Sequence, residues 1–370
     1  MPSNTDNSTP RWPTRPPVWT IAAPVFAGAV LAAAVFEHGA GGFFVVLIAI
    51  GVAGGVFAAV HHADVIAHRV GEPYGTLVLA LAVTLIEVGL IVSLMIAGGP
   101  ATAALACDTV FAAVMIILNG IIGLSLLVGG VMHSEQRFSV DGVSAALVAL
   151  ATIVILTLVF PNYTVALPGP YYSPSQLVFI AIVSLVIYAA FIFTQTIGHR
   201  HFFLDEDAAT GPEHSGKPGN AATALSAILM LACLTAVVLL SKKLAPSLTL
   251  AVSRAGAPNA VVGVIIATIV LLPEGLSALR AARTNHLQTS LNLALGSAIA
   301  SIGLTLPAVS FLSIYMHTRL ALGINLESSV LLVLSLFVTQ VALRTGRTNV
   351  LHGIVLLVVF AVYLFTTVVP

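Results

Sequence analysis

Two glutamates sit inside long apolar runs in opposite halves of this 370-residue chain, and they constrain its fold and use more than any other feature. Glu87 lies within residues 74–99 and Glu274 within residues 259–279, where almost nothing else is charged. A carboxylate held at mid-bilayer costs about 2.5–3.5 kcal/mol on insertion scales. Bearing that cost twice, at corresponding depths, points to an ion site.

The surrounding residues require a membrane. Hydrophobic residues make up 58% of the chain and charged residues 8%, against roughly 25% charged in a soluble domain. The 14 basic and 14 acidic residues cancel, so charge gives no reason to expect a nucleic-acid partner. A span needs about 20 apolar residues. The sequence predicts eleven, near 18–36, 41–60, 74–97, 105–130, 140–160, 174–197, 221–241, 259–280, 289–314, 326–343 and 349–369. The first, with about 19 apolar residues, exceeds the usual 7–15 of a signal peptide and is expected to be a retained span. Cys107 and Cys233 sit in or beside apolar runs, where they read as small hydrophobic filling and not as a disulfide framework or a metal site.

The remaining charges set an orientation. With the N-terminus inside, ten Lys and Arg residues (Arg11, Arg15, Arg69, Arg137, Arg200, Lys217, Arg280, Arg283, Arg344 and Arg347) fall in the cytoplasm. Four (Lys242, Lys243, Arg254 and Arg319) fall outside. The positive-inside rule therefore expects a cytoplasmic N-terminus and a periplasmic C-terminus.

The longest polar stretch, residues 198–220, is rich in Gly, Pro, Asp and Glu and reads as a cytoplasmic linker. Setting the first span aside, five spans precede it and five follow. An odd number per half means that two homologous halves enter the membrane in opposite senses, the inverted-repeat plan of many secondary transporters. The expected fold is an all-α integral membrane protein with about eleven transmembrane helices. Its parts are an N-terminal region with the first span (1–40), a first five-helix repeat (41–197), the linker, and a second repeat (221–370). In each half the glutamate helix is the second. A helix rich in small and polar residues follows it, around Asn119–Ser125 in the first half and Gly296–Gly303 in the second. Small residues let backbones approach, and hydroxyls and amides offer oxygens to a dehydrated cation.

Residues three or four apart share a helix face, which places Thr84 with Glu87 and Ser277 with Glu274. Asn119 and Ser301 supply further oxygens from the small-residue helices. Pro273 has no amide hydrogen, so it is expected to free the carbonyl of Ile269 and kink or break its helix. Loose carbonyls beside a carboxylate suit a hard cation. Two convergent carboxylates neutralise a divalent ion or hold protons in its place, and exchange follows from that competition. Glu72, before Pro73, suits a helix start or a proton path equally. Asp108 reads as a capping or interfacial group. His61, His62, Asp64 and His68 show no zinc-enzyme spacing and read as an interfacial, solvated cluster, and Asp205-Glu206-Asp207 as part of a solvated linker.

With these residues in view, the run HHADVIAHRVGEPYGTLVLALAVTLIEVGLI (61–91) closely resembles the first ion-site segment of ChaA-type bacterial calcium/proton antiporters, of the calcium:cation antiporter superfamily. LLPEGLSALRAARTNHLQTSLNLALGSAIASIGLTLPAV (271–309) resembles its partner, and TGRTNVLHG (345–353) a signature before the last span. The resemblance implies eleven spans, with repeats over spans two to six and seven to eleven and Glu87 and Glu274 as paired ion-site carboxylates. Where the wider exchanger pattern reads G-N-A-T-E, this chain has Val83-Thr84-Leu85-Ile86-Glu87. Where it reads G-N-A-A-E-H, the chain has Val270-Leu271-Leu272-Pro273-Glu274-Gly275. The missing asparagines and histidine leave the preferred cation open among calcium, sodium and potassium.

The expected activity is secondary antiport across the bacterial inner membrane, exporting Ca²⁺, with Na⁺ or K⁺ as further candidate cargo, against protons by alternating access at the two glutamates. The partners are inorganic cations, protons and the lipid bilayer, with no cofactor. A monovalent antiporter with little Ca²⁺ transport and a non-transporting membrane scaffold are the alternatives. The spans carry no Ser/His, paired-Asp or zinc-motif constellation to suggest an intramembrane enzyme.

Overall fold

In a bilayer every backbone amide must find a partner within the protein, so long apolar runs become helices. The computed structural model describes residues 17–36, 42–71, 74–98, 104–203 and 218–369, and these form eleven helical rods. In chain order they are α1 (Val18–Phe36), α2 (Gly42–Val70), α3 (Tyr74–Gly98), α4 (Leu105–His133), α5 (Val140–Tyr163), α6 (Pro174–Gly198), α7 (Asn220–Arg254), α8 (Ala260–Arg283), α9 (Leu287–Tyr315), α10 (Leu326–Ala342) and α11 (Val350–Val368). Eight are long and apolar enough to cross a membrane. The other three contain shorter apolar stretches, Val18–Ala34 in α1, Val78–Ser93 in α3 and the whole of α10.

The expected spans match these rods, but two helices outrun theirs. α2 continues past residue 60 to Val70, and α7 past residue 241 to Arg254, straight through Pro246. An apolar run marks where hydrocarbon ends, not where hydrogen bonding stops. Two expectations change as a result. Lys242 and Lys243, expected in an outer loop, are exposed residues within α7. The histidine cluster, expected to be solvated, is helical, and His62 is buried between Thr20 and Ser226. Its Nε2 lies 3.0 Å from the Thr20 carbonyl and its Nδ1 3.2 Å from the Ser226 hydroxyl.

The loops show the inverted repeat. On one face, β1 (Gln136–Arg137), between α4 and α5, pairs with β2 (Arg347–Thr348), between α10 and α11. Tyr171, between α5 and α6, bridges to Ala321, between α9 and α10. Exchanging the two five-helix sets turns the first contact into the second, at the opposite ends of the same helices. Helix pairs obey the same exchange: α3 packs on α9 as α8 packs on α4, and α6 packs on α9 as α11 packs on α4. Glycine makes the tightest of these approaches. A Cβ on Gly303 of α9 would stand 2.9 Å from the Tyr188 Cβ of α6, so a larger residue there would push the helices apart.

Two apolar cores result. One joins α1, α2 and α7 to one face of α3 and α8, through Ala27, Val56, Val237 and Leu240. The other joins α4–α6 to α9–α11, through Met115, Leu126, Leu150, Leu295 and Leu356. The glutamate helices α3 and α8 run between them. A smaller cluster of Ile91, Tyr172, Leu306, Val309, Leu320 and Leu322 fills the space beyond Glu87 on the face away from β1 and β2.

Candidate functional site

Glu87 lies near the middle of α3, and its side chain is 3% exposed. The hydroxyl of Ser301, on α9, lies 2.7 Å from both of its carboxylate oxygens, and Thr305, one turn further along α9, donates to Oε2 at 3.1 Å. These bonds form because Ser301 and Thr305 share a helix face, which the close packing of α9 turns toward α3. Glu274 is different. Both its oxygens are buried and neither has a hydrogen-bond partner among the described residues. A buried carboxylate without donors is costly.

Both glutamates line one cavity of about 440 Å³. α3 contributes Ala80, Val83 and Thr84, and α6 contributes Tyr188, Gln195 and Thr196. α9 contributes Thr289, Asn292, Ser297 and Ser301. The cavity runs from the carboxylates to the exposed Thr289 and Arg200, and therefore opens at one face. That face also carries the β1–β2 pair and the ends of α4, α8 and α9. There His133 lies 2.9 Å from the Arg283 carbonyl, Gln136 donates to Ala282, and the Ser139 amide donates to Gln288. Toward the opposite face lies the apolar cluster around Ile91 and Leu306, which contributes nothing to the cavity lining.

The residues expected at the site divide into two groups. Glu87, Glu274, Thr84 and Ser301 line the cavity together. Thr84 holds its hydroxyl proton on the Ala80 carbonyl at 2.8 Å, which leaves its oxygen lone pairs as the group it can offer. Ser277 and Asn119 are not brought to it. Ser277 is exposed and donates to the Pro273 carbonyl at 2.9 Å; the face it shares with Glu274 turns away before reaching the cavity. Asn119 occupies the place in α4 that Ser301 occupies in α9, counted from Leu105 and Leu287. It is fully buried and donates to Ser335 of α10 at 2.9 Å, within a π-helical turn, Ile116–Ile121, that widens α4. The repeat is thus symmetric in position and asymmetric in use.

Three further expectations are settled or set aside. α8 runs unbroken through Pro273, and the π-helical turns lie instead in α4 (Ile116–Ile121), α5 (Ile155–Val159) and α6 (Thr194–Gly198), not where proline suggested irregular backbone. Membrane helices tolerate proline because neighbours and hydroxyls satisfy the freed groups. Asp108 stands in the first turn of α4, outside the cavity lining, where its backbone approaches Gly263. Glu72 and Asp205–Asp207 lie outside the described residues. Thr305 was legible in principle, since it stands four residues after Ser301 on the same face. Tyr188, Gln195 and Thr196 were not, because nothing local in α6 says that it borders the glutamates.

Comparison with known proteins bears on both the fold and the chemistry. The family described as sodium/calcium exchanger protein matches residues 39–197 and 225–369. The chain is 47% identical over 358 residues to a Sinorhizobium fredii protein provisionally named as an ionic transporter, covering 96% of this chain and 97% of that one. It is 38% identical over 323 residues to the sodium-potassium/proton antiporter ChaA of Escherichia coli, covering 86% and 87%. Its fold is similar to the crystal structure of the Ca²⁺/H⁺ antiporter protein YfkE, with a TM-score of 0.72 at 17% identity over 95% of this chain and 99% of that one.

Proposed function

The chain belongs to the sodium/calcium exchanger protein family and is a cation/proton antiporter, and from that premise we propose that Glu87 and Glu274 hold the cation and the protons in turn. The observation that carries this reading is one cavity holding two buried carboxylates, one with hydroxyl donors and one without. Burial disfavours a charged carboxylate and a bound cation restores it. A site of this kind therefore takes a cation as it loses protons and protons as it loses the cation. The cavity, open at one face with the apolar cluster toward the other, is one of the two states that alternating access needs. Exchanging the roles of the two repeats generates the other. We keep the division into repeats at 41–197 and 221–370, joined by the 198–220 linker.

The cargo we propose is Ca²⁺ together with Na⁺ and K⁺. Two carboxylates balance a divalent ion, while the two glutamate segments lack the asparagines of the wider exchanger pattern, so fewer oxygens beside the carboxylates favour Ca²⁺ over Na⁺ or K⁺. A narrower reading, Na⁺ and K⁺ with little Ca²⁺, draws on the similarity to the Escherichia coli sodium-potassium/proton antiporter. Everted membrane vesicles with an established proton gradient distinguish the two. Ca²⁺, Na⁺ and K⁺, added singly, are each expected to dissipate the gradient. A response to the monovalent ions alone selects the narrower reading, and no response to any of them rejects antiport of these ions.

The protein is a multi-pass protein of the bacterial inner membrane, and the distribution of basic residues supports our proposal that the N-terminus and the linker are cytoplasmic. In that orientation the cavity opens inward. Reporter fusions should find the 198–220 linker inside and the tail after Val369 outside. A cytoplasmic tail would reverse the direction assigned to the cavity.

A further inference from the structure

Among the described residues lining the cavity, three carry charge: Glu87, Glu274 and Arg200. A cationic side chain at the entrance of a cation path works against the site behind it. Arg200 is exposed at the mouth and forms no ion pair with the described residues. A guanidinium stays charged at any physiological pH. Its place is also secured. It opens a single 3₁₀ turn, Arg200–Phe202, in which the Phe203 amide returns to the Arg200 carbonyl at 3.0 Å. Asn292 of α9 donates to the Phe203 carbonyl at 2.6 Å, Gln288 reaches the Phe202 carbonyl at 3.4 Å, and the Phe203 ring packs edge-on against Phe191. Gly142 lets the same turn approach α5, since a Cβ there would collide with the Phe202 carbonyl. Residues from three helices thus hold the backbone of an arginine that has no ion pair among the described residues at the entrance.

We propose that Arg200 sets cation selectivity by valence at the entrance to the glutamate site. A fixed positive potential at the mouth of a low-dielectric cavity lowers the local concentration of a cation by a factor that depends exponentially on its charge. Whatever factor it imposes on a monovalent ion, it imposes the square of that factor on a divalent one. For each kT of potential this is about threefold for Na⁺ or K⁺ and about sevenfold for Ca²⁺. Arg200 therefore raises the apparent KM for Ca²⁺ more than that for Na⁺ or K⁺, without touching any of them. The inference rests on the proposed site, because the potential matters only if the cavity is the route.

The test is a charge series, Arg200→Lys, Arg200→Gln and Arg200→Glu, assayed in everted vesicles at one fixed pH and normalised to protein in the membrane. Apparent KM is measured for Ca²⁺, Na⁺ and K⁺ in turn. Lysine should leave it unchanged. For one kT of potential, glutamine should lower it by about threefold for a monovalent ion and about sevenfold for Ca²⁺, and glutamate by the square of the glutamine factor for each ion. Every shift should shrink as ionic strength rises. If one valence class alone is carried, the Lys–Gln–Glu progression still decides the matter. Equal factors for Na⁺ and Ca²⁺, or Lys behaving as Gln, would overturn the proposal and leave Arg200 as an anchor of its turn. Glu274→Gln in the same membranes separates the two ways of failing. A flat arginine series beside an inactive Glu274→Gln rejects the valence filter alone, whereas a flat series beside an active Glu274→Gln rejects the route itself.

Discussion

Glu87→Gln and Glu274→Gln are each expected to abolish coupled exchange while leaving the protein in the membrane at normal abundance. Glutamine keeps the shape of glutamate and removes both the charge and the exchangeable proton. At position 87 the fold should hardly notice, since a glutamine carbonyl still accepts from Ser301 and Thr305. At position 274 the native oxygens have no described partner to lose. The double variant should be no worse than either single one, because groups acting as a unit do not lose activity additively. The aspartates should separate the two positions. Glu87→Asp withdraws the carboxylate from both hydroxyls and should retain less activity than Glu274→Asp, which gives up no hydrogen bond. Cation-driven proton release in vesicles reads all five variants. Near-normal exchange in Glu274→Gln would remove the site, and equal residual activity in the two aspartates would remove the asymmetry drawn from the geometry.

Ser301→Ala should raise the apparent KM for cations by about 10–100-fold, with Thr305→Val giving a smaller rise. Donors to a carboxylate favour its charged form, and a hydrogen bond to a charged group contributes about 1.5–3 kcal/mol, with about 1.4 kcal/mol per decade of affinity. Ser301 has the shorter contacts, 2.7 Å to each oxygen against 3.1 Å for Thr305, so its loss should cost more. Thr84→Val, which removes an oxygen from the cavity wall, should also raise KM. Ser277→Ala is the control: its hydroxyl caps the Pro273 carbonyl away from the cavity, and KM should not move. Titration of transport against cation concentration measures each. An unchanged KM for Ser301→Ala would make its hydroxyl a packing group, and a raised KM for Ser277→Ala would mean that α8 rotates during transport.

The eleven helices and the antiparallel halves were legible in the chain because lipid permits so few answers. A run of apolar residues in hydrocarbon must be a helix, and an odd number of spans per half forces inversion. That Glu87, Glu274 and Thr84 line one cavity could be anticipated in part, since a carboxylate at mid-membrane is costly to leave among lipid and helical spacing finds its nearest neighbour. Helix ends were less legible, as Val70 and Arg254 show, because polar residues continue a helix as readily as they end it. Spacing along one helix also cannot say which way a face points. It paired Ser277 with Glu274, and packing turned that hydroxyl to the exposed side. The likeness of Asn119 and Ser301 is real in position, yet one donates to Ser335 and the other to Glu87. Local sequence determined that two carboxylates would be buried. Packing of α9 on α3, and of α6 beside both, decided which hydroxyls would meet them, and the turn after α6 decided that an arginine would stand at the entrance. A helix carries its own hydrogen bonds, so its existence is written locally; its neighbours are chosen by the shapes of surfaces far apart in the chain.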